Sequence, residues 1–491
     1  MSPSHLSELF EAQRAAFARD RLPDAAARRA RLLALRRQLQ RWQDRLAQAM
    51  SRDFGFRPTD ESKILDLLSS VLDIDHTLAR LRRWMKPERR RPELLFAGNR
   101  LRVHYQPKGV VGVIVPWNFP IYLALGPLVA ALAAGNRVMI KMSEATPATN
   151  AVLRALLAEV FAQDLVALIG EELDDPGAFA ALPFDHIIFT GSTTVGRVVM
   201  RTAAQNLTPV TLELGGKSPA LLTRHYPVPD AARRIAHGKW TNAGQVCVAP
   251  DYVLVPREQL APFIESVKTA IARFSGGAFD EHTAIVNERH WQRLQALLDD
   301  ARAKGATIEI CAPETAAPAA PAAPAAPAAD TPRQMPLHIV TGVRPDMRVM
   351  QEELFGPVLP VLPYDTIDEA LAYINAQPRP LALYCFTTDP AERDSVLART
   401  HSGGVTVNDW CWHVINHDAP FGGTGASGMG GYHGIEGFRE LSHARTVFEM
   451  RRWFPIGLFY PPYGRWAQKM VLRWKLGRAD PQAGTGGDTR I

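Results

Sequence analysis

The chain has 491 residues, too many for one ordinary hydrophobic core, so we expect two or three domains. Its composition, 46% hydrophobic and 22% charged, is typical of a soluble globular protein, and a net charge of +6 without a basic, aromatic-interleaved run indicates no nucleic-acid partner. The cysteines are too widely spaced for a disulfide framework or a zinc site, which favours a reducing cytoplasm.

The N-terminal half begins with helices. Residues 5–50 carry a leucine stripe opposite many arginines, and a further helix is predicted over 60–82. The basic stretch 86–95 could be read as a nucleic-acid patch, but a solvated connector is the more economical interpretation. No export signal is recognisable, and the longest apolar region, 120–135, contains Pro127 and is shorter than the roughly 20 residues that cross a bilayer.

From residue 101 the pattern changes to strands alternating with helices. Strands are predicted at 109–115, 137–141, 166–169 and 186–189, and helices at 120–135, 146–161 and near 176. This alternation predicts an α/β fold with a parallel, doubly wound sheet. Ligands of such sheets bind beyond the carboxyl ends of the strands.

Polar residues follow three of these predicted strands. Asn118 follows the first, and Lys141 and Glu144 end the second. After the last comes a segment rich in glycine, serine and threonine, from Gly191 to Gly196. Such a segment at the start of a helix offers backbone N–H groups to a phosphate, although a plain tight turn explains it equally well.

A thiol and a carboxylate stand out farther along the chain. Glu213 lies in an otherwise apolar strand followed by two glycines, and Cys247 lies in a polar turn shaped by Asn242, Gly244 and Gln245. These residue types suit a nucleophile and a general base. A single cysteine can equally be a small buried apolar residue, so the pair alone does not decide between the two interpretations.

The second half repeats the alternation less regularly. It is interrupted at 312–332 by a Pro-Ala repeat, predicted to form an extended or disordered surface loop. His413, His417 and His433 lack a nearby carboxylate or cysteine at ligand spacing, so no metal site is expected. The segment 455–478 mixes aromatic and basic residues, which predicts either a weak contact with an anionic membrane surface or packing against the protein or a second subunit. The last dozen residues are predicted to be disordered.

Six ordered motifs give the chain a family resemblance, and they are PWNFP, FTGSTTVG, LELGGKSP, NAGQVCVAPDY, EELFGPV and PFGGTGASGMG. In this order and at these separations they resemble the aldehyde dehydrogenase superfamily, over roughly residues 10 to 455. The segments APDY and SGMGGYHG are similar to the class 3 and fatty-aldehyde branch. WMKPERRRP, NRVMIK and PPYGR are similar to bacterial coniferyl-aldehyde dehydrogenases.

The resemblance implies three parts and a tail. An NAD(P)-binding domain would comprise 1–90 and 108–215, and an α/β catalytic domain would comprise 216–440. A small bridging β arm for oligomerisation would comprise 91–107 and 444–454, followed by a C-terminal tail, 455–491. The resemblance also implies a homodimer.

The family's residue roles are assigned here to the positions of this sequence that match its motifs. The resemblance implies that Cys247 is the nucleophile, Glu213 the general base and Asn118 the oxyanion donor. Cofactor contacts would come from the residues matching its nucleotide-binding motifs: Trp117, Lys141, Glu144, Gly191, Ser192, Thr193, Thr194, Val195, Gly196, Glu353 and Phe355. Tyr122, Asn408 and Trp410 would shape the substrate site.

The implied activity is NAD(P)-dependent oxidation of an aldehyde to a carboxylic acid through a thiohemiacetal and a thioester on Cys247. Glu144 should repel a 2′-phosphate and favour NAD, with NADP as the alternative cofactor. Trp410 and Trp412 favour an aromatic aldehyde, such as coniferaldehyde, or a long-chain one. Two other hypotheses remain, a CoA-acylating or semialdehyde dehydrogenase of the same fold and a non-catalytic, membrane-associated interaction protein.

Overall fold

The structure is a computed structural model that describes residues 2–276, 281–311 and 333–477. The predicted Pro-Ala loop at 312–332 and the last dozen residues therefore lie outside the described parts of the chain. The strands in the described parts are β1 (Glu88–Arg90), β2 (Arg100–Pro107), β3 (Val110–Ile114), β4 (Arg137–Lys141), β5 (Val166–Ile169), β6 (His186–Gly191), β7 (Val210–Leu214), β8 (Pro219–Leu222), β9 (Tyr252–Pro256), β10 (Thr307–Cys311), β11 (Leu337–Thr341), β12 (Val358–Tyr364), β13 (Ala382–Phe386), β14 (Gly404–Val407), β15 (Gly428–Met429) and β16 (Ser442–Glu449).

Helices fill most of the connections between these strands. They are α1 (Pro3–Arg19), α2 (Ala25–Phe54), α3 (Thr59–Ser62), α4 (Ser69–Trp84), α5 (Tyr122–Ala134), α6 (Pro147–Ala158), α7 (Pro176–Ala180), α8 (Thr193–Ala203), α9 (Val228–Trp240), α10 (Leu260–Phe274), α11 (Glu288–Ala303), α12 (Arg348–Gln351), α13 (Ile367–Ala376), α14 (Pro390–Arg399), α15 (Gly434–Glu440) and α16 (Trp466–Leu476). A π-helical turn, Lys63–Leu68, joins α3 to α4. None of the helices in the described parts has both the length and the hydropathy needed to cross a membrane.

The first half of the chain forms a six-stranded sheet in the order β15-β7-β6-β3-β4-β5. Its strand pairs are parallel from β7 to β5, and the short β15 adds an antiparallel edge. The chain runs outward from β3 to β5 and then returns to the other side of β3 with β6 and β7. This reversal is the doubly wound topology predicted from the sequence, and the predicted α/β fold class is confirmed.

The second half forms a seven-stranded sheet in the order β10-β11-β12-β9-β8-β13-β14. All of its pairs are parallel except β10 with β11. Its central strands β8, β9 and β13 are almost wholly apolar and buried, as expected for strands covered on both faces by helices. The turn that carries Cys247 joins α9 to the start of β9, and so lies at the amino edge of this sheet.

Helix α5 shows how local sequence sets an element next to the site. Every one of its residues is buried, which suits a helix that is apolar on all sides. It ends at Gly135, whose φ of 95° is left-handed and favours glycine. Its start is capped from outside, because the N–H groups of Ile121 and Tyr122 donate to Asp66 Oδ1 at 3.1 and 3.0 Å. These bonds fix the backbone just after Asn118.

Two compact units are distinguished by their internal contacts. The larger comprises Met1–Lys86 and Tyr105–His443 and contains the six- and seven-stranded sheets. The smaller comprises Pro87–His104 and Ala444–Ile491, and the three-stranded sheet β1-β2-β16 lies largely within it. This division does not separate the two large sheets from each other, so the domain boundary expected near 215 stays a prediction.

Candidate active site

The loop before Cys247 leaves α9 through a left-handed turn. Asn242, Ala243 and Gly244 have φ angles of 47°, 53° and 70°. Left-handed backbone costs a residue with a Cβ roughly 1–2 kcal/mol, so the surroundings must hold the first two in place. Glycine is required at 244 because a Cβ there would lie 2.5 Å from the carbonyl oxygen of Gly356. Strain of this kind is concentrated at functional sites.

Buried amide side chains hold this turn. Asn118 Nδ2 donates to the carbonyl oxygen of Gln245 at 3.2 Å, and Asn242 Nδ2 donates to the carbonyl oxygens of Asn118 and Gln245, each at 3.1 Å. Gln245 in turn donates to the carbonyl oxygen of Asn242 at 3.0 Å and accepts the N–H of Val286 at 3.0 Å. The predicted oxyanion donor is thus tied to the backbone two residues before Cys247.

Three charged residues that lie outside the recognised sequence motifs hold the backbone around these amide side chains. Arg57 and Asp66 are fully buried, with Nη2 and Oδ2 3.0 Å apart. Arg57 Nη1 also donates to the carbonyl oxygen of Asn118 at 3.2 Å, and Glu61 accepts the N–H of Asn242 at 2.8 Å. These three residues therefore position the backbone on both sides of the Asn118–Asn242 contact.

Sequence patterns carry little signal for this ion pair. Arg57 falls between two predicted helices, and Asp66 falls within a predicted amphipathic helix, where an acidic residue is read as solvent-facing. The π-helical turn Lys63–Leu68 breaks the 3.6-residue period and directs Asp66 inward. Burial raises the pKa of the Asp66 carboxyl, and the Arg57 charge opposes that rise.

The Cys247 thiol lies among apolar and acidic groups. Burial, followed by the charges of Glu353, Glu213 and Cys411, raises the pKa of this thiol to about 12. Glu213 reaches it from the six-stranded sheet, and Glu353 from the loop before β12. The thiol therefore holds its proton at neutral pH in the chain alone, and its reactivity requires added stabilisation of the thiolate.

Glu213 is a buried carboxyl on β7, opposite Gly428 of β15. Neither of its carboxylate oxygens has a hydrogen-bond partner among the described residues. Burial raises the pKa of this carboxyl well above its ordinary value. A Cβ at Gly422 would lie 3.2 Å from Glu213 Oε1, so glycine at this position avoids crowding the carboxyl. A desolvated carboxylate of this kind is a stronger base than a free one.

Glu353 is a second acidic group near the thiol. Its carboxylate lies against Gly215, where any side chain would collide with it. Burial, followed by the charge of Asp251, raises the pKa of Glu353 to about 8, while the N–H of Gly216 acts in the opposite direction. Its carboxylate also raises the pKa of Cys247, so this predicted cofactor residue lies within electrostatic reach of the thiol.

Lys141 and Glu144 form a pair at the carboxyl end of β4. Lys141 is buried, whereas the Glu144 side chain is 55% exposed. The Lys141 ammonium donates to the carbonyl oxygen of Met142 at 2.7 Å and to the Glu144 carboxylate. Partial burial disfavours ionisation of Glu144, but the hydrogen bond from Lys141, a backbone hydrogen bond and the Lys141 charge together outweigh it, so the pKa lies below its ordinary value. The pair offers a donor and an anionic acceptor, which suits ribose hydroxyls.

Helix α8 begins at the carboxyl end of β6 with the predicted phosphate segment. Ser192 is its N-cap and accepts the N–H of Val195 at 3.4 Å. A Cβ at Gly196 would lie 2.7 Å from Leu214, so glycine allows α8 to pack closely on β7. The free N–H groups of the first turn and the positive end of the helix dipole suit a pyrophosphate. The predicted segment that forms this end comprises Gly191, Ser192, Thr193, Thr194, Val195 and Gly196.

Trp117 and Phe355, both predicted cofactor residues, are brought into contact. Their ring centroids are 5.3 Å apart, with the planes at 81°. Trp117 also packs against His290, with centroids 4.9 Å apart. Phe355 has a left-handed φ of 49°, which is uncommon for a bulky residue. Three features at the carboxyl edge of the six-stranded sheet together fit a dinucleotide cofactor. They are the N-terminus of α8, the Lys141–Glu144 pair and the contact between Trp117 and Phe355.

Tyr122, a predicted substrate-shaping residue, is close enough to the thiol that the charge of Cys247 contributes to the pKa of its phenol. It is buried at the start of α5, and burial raises the pKa of its phenol well above the ordinary value. The charges of Asp73, Cys411 and Cys247 add to that rise. The phenol is therefore within electrostatic reach of both the thiol and Asp73 on α4.

Asn408 and Trp410 occupy supporting positions. Asn408, with a left-handed φ of 62°, accepts the N–H of Thr387 on its side-chain oxygen at 2.8 Å. Trp410 is buried, and its Nε1 donates to His237 Nδ1 at 2.9 Å, which joins the loop after β14 to α9. Trp412, by contrast, is about half exposed. Neither Asn408 nor Trp410 presents an evident open surface against which a substrate could lie.

The three histidines of the last glycine-rich segment are buried or half-buried. Burial lowers the pKa of His413 and of His417 to about 4, and that of His433 to about 3. All three are therefore neutral at pH 7. In the described parts of the chain no group of three or more His, Cys, Asp and Glu side chains is arranged to hold a metal ion.

Comparison with known proteins identifies similar sequences over most of the chain. Residues 2–447 match the sequence model described as the Aldehyde dehydrogenase family. A probable coniferyl aldehyde dehydrogenase of Pseudomonas aeruginosa is 50% identical over 472 residues, covering 96% of each chain. A coniferyl aldehyde dehydrogenase of Pseudomonas sp. strain HR199 is 44% identical over 405 residues, covering 82% of each chain.

Solved structures share the fold. The substrate-bound state of Staphylococcus aureus AldH superposes with a TM-score of 0.88 at 32% identity, covering 96% of this chain and 99% of that one. A Mycobacterium tuberculosis aldehyde dehydrogenase complexed with NAD+ gives a TM-score of 0.78 at 26% identity, covering 89% and 88% of the two chains.

Proposed function

Because the chain belongs to the aldehyde dehydrogenase family, whose enzymes oxidise aldehydes with NAD(P), we propose that it oxidises coniferaldehyde-like aromatic aldehydes through a covalent bond to Cys247. The resemblance read from the motifs is confirmed at the level of family, and the chain is an NAD(P)-dependent aldehyde dehydrogenase. We propose its catalytic residues and its aldehyde from the geometry around Cys247 and from the similar proteins.

One observation carries the mechanism. The Glu213 carboxyl on the six-stranded sheet and the Cys247 thiol on a loop of the seven-stranded sheet lie close enough that the Glu213 charge raises the thiol pKa. The side chain of Asn118, which can donate to an oxyanion, is bonded to the same loop. A nucleophile, a base and a donor from three separate segments thus share one site.

Acylation begins with the sulfur of Cys247. Once the Cys247 thiol has released its proton to solvent, the thiolate attacks the carbonyl carbon. The negative charge that develops on the oxygen is stabilised by Asn118 Nδ2 and the backbone N–H of Cys247. Losing one such donor typically slows the reaction by about 100-fold to 1000-fold. A nicotinamide held at this site would supply the hydride acceptor, and loss of hydride from the carbon would leave Cys247 carrying a thioester.

Deacylation requires the carboxylate of Glu213. Glu213 removes a proton from a water molecule, whose oxygen attacks the thioester carbon, and the carbon–sulfur bond breaks. The acid leaves, the thiol is regenerated, and Glu213 must return its proton to solvent before the next cycle. The raised pKa of Glu213 favours proton uptake, which is what this step demands.

Several residues fit the cofactor. The α8 N-terminus would hold the pyrophosphate, the Lys141–Glu144 pair the adenosine ribose, and Glu353 with Phe355 the nicotinamide ribose. The exposed Glu144 carboxylate repels a 2′-phosphate, so NAD is the proposed preference over NADP.

The similar proteins support the aromatic substrate. Two relatives at 50% and 44% identity are named for coniferyl aldehyde. Buried aromatic side chains near the thiol, Tyr122 and Tyr432, suit a flat ring better than a flexible alkyl chain.

A substrate panel tests this proposal. We expect kcat/KM with NAD to fall in the order coniferaldehyde, benzaldehyde, acetaldehyde, and decanal to be a poorer substrate than coniferaldehyde. Cys247→Ala should abolish NADH formation with every aldehyde. Highest efficiency on acetaldehyde or decanal would contradict the substrate class, and an acyl-CoA product formed on adding CoA would favour the CoA-acylating alternative.

We also propose a homodimer, acting in the cytoplasm. The β16 strand of the smaller unit is at the edge of its described sheet and carries exposed Phe448, a surface suited to a second copy. None of the four cysteines is paired, as a reducing compartment would leave them. Light scattering after size exclusion should give twice the mass of one chain, and a single-chain mass would contradict the dimer.

A further inference from the structure

The segment 349–357 carries Glu353 and Phe355, and cations from three other parts of the chain donate to its backbone carbonyl oxygens. Lys217 donates to Val349 and Glu352 at 2.8 and 3.0 Å, Arg293 donates to Glu353 at 3.2 Å and also to Leu354, and Lys239 donates to Gly356 at 3.2 Å. Asp251 accepts the N–H of Leu354 at 2.9 Å. These bonds fix the backbone on both sides of the two predicted cofactor residues.

Lys239 differs from the other two cations because it comes from the helix that leads to the nucleophile. It lies in the last turn of α9, which is followed at once by the turn Thr241–Gly244 before Cys247. The carbonyl oxygen of Gly356, which Lys239 bonds, would lie only 2.5 Å from a Cβ at Gly244. The segment 349–357 and the turn before Cys247 are therefore in direct contact at this carbonyl, and the Lys239 ammonium joins them.

The ammonium of Lys239 is costly for the stability of the fold. Lys239 is 1% exposed, and in the described parts of the chain its ammonium makes that one hydrogen bond and has no carboxylate within 4.0 Å. Burial lowers the pKa of Lys239 to about 8, and the charge of Asp251 opposes that fall, so the ammonium is still protonated at pH 7. A buried charge with so few partners costs free energy that an apolar side chain of the same length would avoid. Costs of this kind are typical of functional sites.

We propose that Lys239 is a positioning residue for the oxidation step, because its bond to Gly356 sets the distance between the segment 349–357 and the Cys247 turn. Glu353 and Phe355, the groups proposed to contact the nicotinamide ribose, are held by that segment. Loss of hydride from the carbon bonded to Cys247 depends on close alignment with the cofactor, and a misplacement of about 1 Å can slow a reaction by about 100-fold. This inference rests on the proposed function and adds a residue that acts through the backbone of Gly356.

The turn before Cys247 has support of its own. Asn118, Asn242 and Gln245 hold it through amide hydrogen bonds, and Lys239 takes no part in these bonds. Loss of the ammonium should therefore displace the segment 349–357 and leave the thiol in place. Hydrolysis of p-nitrophenyl acetate without NAD reports on the thiol site alone. In that reaction the Cys247 sulfur takes the acetyl group, p-nitrophenolate leaves, and water releases acetate without any oxidation.

The test compares Lys239→Met, Lys239→Gln and a matched control. Lys268→Met is the control, because Lys268 on α10 is one-third exposed and pairs with Glu265 and Glu309 at 2.7 and 2.6 Å. With the most efficient aldehyde of the substrate panel, Lys239→Met should lower kcat by about 10-fold to 100-fold and raise KM for NAD. Its ester hydrolysis should be unchanged, and its Tm should be equal or higher because a desolvated charge is removed. Lys239→Gln keeps an N–H donor and should fall between, and Lys268→Met should match wild type in both reactions.

Failure of this inference is distinguishable from failure of the proposed function. Wild-type kcat and KM for NAD in Lys239→Met would overturn the positioning role while aldehyde oxidation through Cys247 stands. Parallel losses of oxidation and ester hydrolysis, together with a lower Tm, would show a general structural role and also overturn it. A wild-type enzyme that forms no NADH from any aldehyde of the panel would overturn the proposed function itself.

Discussion

The Cys247 thiol and its acidic neighbours define the chemistry at the scale of single residues. Burial and the carboxylates of Glu353 and Glu213 all favour the protonated thiol in the chain alone. The same burial favours the protonated form of Glu213. In the free enzyme both groups are therefore held in their protonated, unreactive forms. Protonation protects the thiol from adventitious alkylation and oxidation.

This electrostatic setting predicts how Cys247 reacts with iodoacetamide without cofactor. Because the pKa in the folded chain is about 12, the thiolate fraction at pH 7 is small and should grow about tenfold per pH unit up to pH 10. Peptide mass spectrometry of alkylated samples measures the rate, and Cys411→Ser removes the neighbouring thiol as a control. A rate that levels off above pH 8.5 would show an ordinary thiol and contradict this setting.

At the scale of elements, the site depends on how α2, the π-helical turn Lys63–Leu68 and α5 meet. Arg57 and Asp66 pair there without solvent, and each also bonds backbone that leads to or from Asn118. A buried pair broken by removing one partner is strongly destabilising, because the other charge remains desolvated.

Arg57→Met should therefore cost about 3–5 kcal/mol of stability and lower Tm. It should also reduce kcat, since the Asn118 carbonyl loses a donor and the oxyanion side chain loses its support. Arg36→Met is the matched control, because Arg36 pairs with the half-exposed Asp75 and should cost about 1 kcal/mol or less. Thermal unfolding and steady-state kinetics of both variants measure the difference, and similar effects of the two changes would contradict a supporting role for Arg57.

The same junction shows what sequence patterns can and cannot predict. The strands at 137–141 and 166–169 are predicted with their observed bounds, because buried parallel strands are short apolar runs between turn residues. The candidates Cys247, Glu213 and Asn118 are also marked in the sequence, since each lies in a recognisable motif beside a strand. Asp66 is not, because an acidic residue on a predicted helix is read as exposed until the helices packed against it are placed.

At the scale of the whole molecule, the carboxyl edge of the six-stranded sheet and the loop that enters β9 of the seven-stranded sheet form one site. The smaller unit carries a separate surface. Within that unit, residues 450–477 contain arginines and lysines but no aspartate or glutamate. Trp466 and Trp474 on α16 are 73% and 58% exposed. We propose that this segment binds an anionic membrane surface weakly, because exposed aromatics and unopposed cations suit a lipid interface.

Vesicle sedimentation tests this segment. The protein should sediment with phosphatidylglycerol vesicles and not with phosphatidylcholine vesicles, and a high salt concentration should release it. Replacing Arg465, Lys469 and Arg473 with glutamine should weaken binding by about 1 kcal/mol per charge while kcat is unchanged. Equal sedimentation with both vesicle types, or none with either, would leave α16 as a surface for packing against protein instead.

The central claim is that Cys247 carries the acyl group and Glu213 releases it. The most direct measurement is intact and peptide mass spectrometry of Glu213→Gln after mixing with NAD and coniferaldehyde. We predict one equivalent of NADH formed in a burst, and a stable acyl adduct on the Cys247 peptide, because the thioester forms but water is no longer activated. Sustained turnover without an adduct, or an adduct on Cys411 instead, would contradict the account.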